Sequence, residues 1–169
     1  MAGPILQYTG NPFTTTTAGS GNVTATFQFA GPLTNGSTLT LADVVSFSIS
    51  AAGRTTTSAD TYSFVDIAFV IGPSLLPVSW HFEFERNIEG GASPEQWTSR
   101  NSFPGRSTLD AFSVDDLSPN NFLVNGTTFS AIFDSPGSWS AVPEPSAAAL
   151  SLSGILVLTF LSLRRGRRN

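Results

Sequence analysis

The chain has 169 residues, no cysteine and one histidine, so disulfides, thiolate metal sites and cysteine nucleophiles are excluded. It has no lysine, and the residues up to Ala141 carry eleven acids against four arginines, a formal charge of −7. That acidic balance opposes nucleic-acid binding, which needs basic surface to displace counterions, and suits a soluble exported protein.

In chain order, alternation with period two dominates. Over 22–30, Val23, Ala25, Phe27 and Phe29 share one face, with Thr24, Thr26 and Gln28 on the other. Over 44–51, Val45, Phe47, Ile49 and Ala51 oppose three serines. Residues 61–71 are apolar on both faces, as in a central strand covered on both sides. Over 78–86, Val78, Trp80, Phe82 and Phe84 are expected inside. Further strands are predicted over 109–114, 122–124, 127–134 and 138–141. Turn signals separate the runs, among them Asn35-Gly36, Ala52-Gly53 and Gly72-Pro73. The prediction is one all-β domain over 5–140, an antiparallel β-sandwich, with a jelly-roll or open barrel as the alternative.

The most suggestive local constellation is His81, Glu83 and Glu85, which project from one face of a strand at about 7 Å steps. Two carboxylates so placed suit glycoside hydrolysis, and a histidine with two carboxylates suits a divalent metal. Alternation alone puts all three on a solvated face, and that is the favoured reading. Asp110, Asp115, Asp116, Asn120 and Asn121 match no calcium-loop spacing and read as turn chemistry. Trp97 and Trp139 sit in polar, glycine- and serine-rich surroundings. An exposed tryptophan there would stack on sugar rings, a carbohydrate-binding reading; packing in a core is the alternative. Asn22, Asn35 and Asn125 open glycosylation-like triplets that read more simply as strand and turn residues. The sequence has no phosphate-binding loop, dinucleotide fingerprint or nucleophile elbow. No catalytic residue, cofactor or metal is expected.

The C-terminal end, 141–169, differs in kind. Val142-Pro143-Glu144-Pro145-Ser146 precedes a run over 147–163 with no charge and no proline, followed by Arg164, Arg165, Arg167 and Arg168. As a helix, that run would span roughly 26 Å, close to the membrane's hydrocarbon thickness. The arginines are expected to stay cytoplasmic, with the β domain across the membrane. Pro143 and Pro145 keep the segment extended, the form a protease or transpeptidase cleft can pair with. Glu144, the one charge between them, is the expected specificity handle.

The order of proline-bracketed motif, apolar helix and terminal arginines resembles the PEP-CTERM sorting signal of Gram-negative bacteria. That resemblance implies recognition by an exosortase, a membrane-embedded cysteine transpeptidase-like enzyme that cuts at or near the motif. It further implies residence in the inner membrane with the domain in the periplasm, then delivery to the cell surface or exopolysaccharide matrix. The segments Tyr8-Thr9-Gly10-Asn11-Pro12-Phe13, Phe29-Ala30-Gly31-Pro32-Leu33 and Val45-Ser46-Phe47-Ser48 resemble the opening of many cargo proteins of that family, which brings no activity with it. Export calls for an N-terminal leader, and residues 1–6 have neither a basic region nor a long apolar stretch. The expectation is that translation starts upstream of Met1 or that the chain is a fragment, with insertion directed by the tail itself as the alternative.

Overall fold

The computed structural model describes residues 3–87, 94–102, 108–114 and 128–143. Its strands are β1 (Ile5–Thr9), β2 (Thr15–Thr16), β3 (Thr24–Phe29), β4 (Thr38–Thr40), β5 (Val44–Ala51), β6 (Arg54–Thr57), β7 (Phe64–Ile71), β8 (Pro77–Asn87), β9 (Pro94–Asn101), β10 (Leu109–Val114), β11 (Thr128–Phe133) and β12 (Ser138–Val142). A 3-10 turn, Leu41–Asp43, joins β4 to β5. They form two antiparallel sheets packed as a sandwich. The smaller sheet runs β12-β1-β3-β5-β6, and the larger runs β2-β11-β10-β9-β8-β7-β4.

The inward residues follow the predicted alternation, because successive side chains on a strand point to opposite faces. Phe27, Phe29 and Ile49 of the smaller sheet are buried, as are Phe69, Phe82 and Phe84 of the larger. Ring contacts stitch the two layers together. Phe27 lies 5.1 Å from Phe69 and 5.3 Å from Phe82, and Phe47 lies 4.5 Å from Phe84. These separations are in the range where aromatic pairs attract beyond simple area burial. Ala52 and Gly53 both have positive φ, and Ala51 pairs with Arg54, so the predicted turn there is a two-residue hairpin.

Two residues expected inside are exposed, for one reason. Phe29 pairs with Val44 while Gln28 pairs with Ser46, leaving Val45 as an extra residue in a bulge. Ile71 pairs with Pro77 while Val70 pairs with Ser79, which does the same to Val78. An inserted residue breaks the period-two rule locally and turns its side chain outward. Val45 is 59% exposed and Val78 53%.

The strand over 61–71 was expected to be central and covered on both sides. β7 lies second from the edge, beside β4, and its outward residues are only half-buried. The strands β1 and β9, which alternation did not reveal, occupy interior positions in their sheets. The predicted strand over 122–124 lies outside the described residues, as does the predicted membrane helix over 147–163. Among the described residues, no helix is long and apolar enough to cross a membrane.

Candidate functional site

The segment Val142-Pro143-Glu144-Pro145 begins inside the sheet. β12 is one of the two edge strands of the smaller sheet and pairs with β1 over its whole length, from Ser138 opposite Thr9 to Val142 opposite Ile5. Val142 is half-buried, and Pro143 is exposed and outside the strand. The folded layer therefore runs without a spacer into the proline-bracketed segment. Glu144, Pro145, Arg164, Arg165, Arg167 and Arg168 lie outside the described residues.

Of the two tryptophans proposed for sugar contact, Trp97 is a core packing residue and Trp139 is half-buried against core rings. Trp97 is fully buried in β9, its ring 5.3 Å from Phe112 with the Arg86 guanidinium 5.2 Å from its centroid. No face of that ring meets solvent, so it cannot stack on a sugar. Trp139, on β12, is half-buried and surrounded by Tyr8, Phe27, Phe69, Trp80 and Phe82 at 5.0–6.4 Å.

The solvated-face reading of His81, Glu83 and Glu85 is overturned as well. All three are buried, at 0%, 0% and 8% exposure. They do project from the face of the larger sheet opposite the aromatic core, as their alternation demands, but they are buried there. His81 Nε2 lies 3.1 Å from Asp66 Oδ2 and 3.5 Å from Glu83 Oε2. Gln96 donates from Nε2 to Glu83 Oε1, and Ser63 donates to Glu85 Oε1 at 2.9 Å. Register places Thr98 opposite Glu83, and Ser113 opposite Gln96. Gln96 Oε1, Thr98 Oγ1 and Ser113 Oγ are buried with no hydrogen-bond partner among the described residues. Of the histidine and its two carboxylates, Asp66 alone reaches water, its side chain 44% exposed. No group of His, Asp and Glu among the described residues is arranged to hold a metal ion. Together these side chains form a buried polar layer on that face of the larger sheet.

A second polar group sits between the sheets. The Tyr8 hydroxyl donates to both Asp110 oxygens, at 2.8 and 2.7 Å, and accepts from Gly137 N at 2.9 Å. Trp80 Nε1 donates to Ser99 Oγ at 2.9 Å. Burial pushes the Asp110 carboxyl up to about 6, against the pull of hydrogen bonds from Ser99 and Tyr8. Burial, together with the neighbouring Asp110 charge, also pushes the Tyr8 phenol up. Gly10 leaves room for this pair, since a Cβ there would stand 2.2 Å from Asp110 Oδ2. Asp110 is thus a buried strand residue, not part of a turn.

At the far end of the sandwich, Arg86 bonds Glu95 at 2.6 Å and lies 3.4 Å from Asp60, while Arg54 reaches Glu95 at 3.6 Å. Burial disfavours the Arg86 charge, but Glu95 outweighs it and holds the guanidinium above its ordinary value. Thr57 N donates to Asp60 at 2.7 Å, and that bond foremost holds the Asp60 carboxyl below its ordinary value. These are structural pairings, with each charge neutralised in place. Asn22 donates to Gly10 O at 2.8 Å, so its amide is engaged in the fold. Searches against protein-family models, curated proteins and solved structures found no match.

Proposed function

We propose that the chain is an exported protein whose C-terminal tail is processed by an exosortase, and that its β domain serves a structural or adhesive role at the cell surface or in the extracellular matrix. The observation that carries this reading is the terminal order of Val142-Pro143-Glu144-Pro145, apolar run and arginine cluster. The domain's build agrees with it. His81, Glu83 and Glu85 are buried, and Arg86 is paired with Glu95, which suits a scaffold better than a catalyst.

Before processing, the tail helix holds the protein in the inner membrane. The Arg164–Arg168 cluster stays cytoplasmic, because moving each arginine through hydrocarbon costs on the order of 2.5–3.5 kcal/mol even on the lenient insertion scale. The β domain then lies in the periplasm.

Glu144→Ala tests the reading. In a host carrying the enzyme, and with a leader supplied, the variant is expected to stay uncut and in the inner membrane while the parent chain is released. Normal release of the variant would sink the proposal. A periplasm-dependent reporter is expected to be active when fused before Val142 and silent when fused after Asn169.

A further inference from the structure

We infer that β12 is a self-association edge. Two copies of the chain pair β12 with β12, antiparallel about a two-fold axis at Ser140, and join their smaller sheets into one. The inference stands on the fold alone and does not depend on the sorting reading.

In an antiparallel ladder alternate residues bond to opposite neighbours, so a few bonds fix the direction of every N–H and C=O in the sheet. Gly10 N donates to Val23 O and Phe29 N donates to Pro4 O, so the even-numbered residues of β1 bond to β3. Ile5, Gln7 and Thr9 therefore bond to β12, opposite Val142, Ser140 and Ser138. The backbone groups of Trp139 and Ala141 are left pointing away from the sheet, with no partner among the described residues.

The other edges are protected. At the far edge of the same sheet, Ser58 N donates to Phe47 O, so Thr57 turns its backbone outward. There Asp60 accepts the Thr57 N–H at 2.7 Å, and the Tyr62 hydroxyl donates to Thr57 O. In the larger sheet, β4 has three residues and Asp43 takes the Thr40 N–H at 2.8 Å, while β2 has only two residues. Short length and charged side chains are how folded proteins blunt an edge. β12 has five residues, an unbroken register with β1, and no charge, proline or cap.

Charge favours a second copy as the occupant. The residues up to Ala141 carry a formal charge of −7, yet β1, β3, β5 and β12 contain no charged residue. Two copies meet at this edge with no like charges opposed. In the two-fold register, Trp139 of each copy lies opposite Ala141 of the other, and each such pair exchanges both its N–H···O bonds. Ser140 faces Ser140, and Ser138 faces Val142. Ser138, Ser140 and Ala141 are exposed, so the edge is open to approach.

The chain has no cysteine, so single introduced thiols report the contact. Ser140→Cys puts two thiols at the axis, in a non-hydrogen-bonded pair with Cα atoms about 4.5 Å apart, within disulfide reach. Ser138→Cys would lie about 14 Å from its own copy along the ladder, beyond that reach. Full-length chains, made in a host without exosortase and purified in mild detergent, would be oxidised and followed on non-reducing gels.

Ser140→Cys is expected to form a disulfide dimer on the order of ten-fold faster than Ser138→Cys, because pairing raises the local thiol concentration. A mixture of Ser138→Cys and Val142→Cys chains should cross-link faster than either alone. Adding Ala141→Pro to Ser140→Cys should remove the fast dimer. It deletes an outward N–H and leaves the β1 ladder intact, a place where proline is tolerated. Tryptophan fluorescence matching the parent shows that this chain is folded. Equal rates for Ser140→Cys and Ser138→Cys would overturn the inference, whether or not the proline variant folds. So would a fast dimer that survives Ala141→Pro in a folded chain, since the contact would then lie elsewhere or in the tail.

Discussion

Replacing Asp110 with asparagine removes the titration of the buried pair while preserving its shape. In the folded chain the carboxyl titrates at about 6, because burial disfavours its charged form, against an ordinary value of 3.8. Between those values the folded state holds a proton that the unfolded state releases. Stability contributed by this group is therefore fully present below the lower value and is lost as pH rises through the upper one. A shift of about two units at 1.36 kcal/mol each corresponds to about 3 kcal/mol. The substituted amide would keep an oxygen for the Tyr8 hydroxyl and carry no charge to desolvate. Urea unfolding of a chain ending at Pro143, followed by the fluorescence of Trp80, Trp97 and Trp139, measures both proteins across the range. The stability of Asp110→Asn relative to the parent is expected to rise by about 3 kcal/mol from about pH 4 to about pH 7, then level off. A difference that stays constant over that window would refute the claim that burial holds this carboxyl protonated.

Other consequences follow from the packing. Phe27→Ala removes a fully buried ring that contacts five others and is expected to cost about 3–5 kcal/mol in the same assay. Gly10→Ala drives a methyl into Asp110 Oδ2 and is expected to cost about 1–3 kcal/mol. Paired with Asp110→Ala in a double-mutant cycle, it should cost less than in the parent, since the obstruction is gone. Arg86→Ala leaves Glu95, 1% exposed, without its closest cation and is expected to destabilise by about 3 kcal/mol. Glu95→Gln in that background should recover part of the loss, and an additive further loss would contradict the pairing.

Where alternation was strong, the fold was legible. The strands through Phe27, Ile49 and Phe82 were visible because each places large apolar groups on one face and polar ones on the other. β9 was not visible, since Pro94–Asn101 contains one large apolar residue, Trp97, among polar ones. It is a strand because β8 and β10 flank it and satisfy its backbone on both sides. Val45 and Val78 were misplaced because a bulge is a mismatch between two strands, and neither strand carries it alone. The site residues divide the same way. The motif at Val142-Pro143 is contiguous and could be read directly, whereas Tyr8 and Asp110 meet across 102 positions of chain.

The sequence by itself determined the all-β class, the hairpin at Ala52-Gly53 and the side of each regular strand that carries its aromatic residues. These follow from backbone geometry over a few consecutive residues. Only the tertiary structure decided that His81 and Glu83 are buried, that Trp97 is core, and that Val142 pairs with Ile5 in the smaller sheet. Alternation tells which face a side chain takes. Whether that face meets water, and which strand lies alongside, depends on segments distant in the chain, and no local periodicity records them.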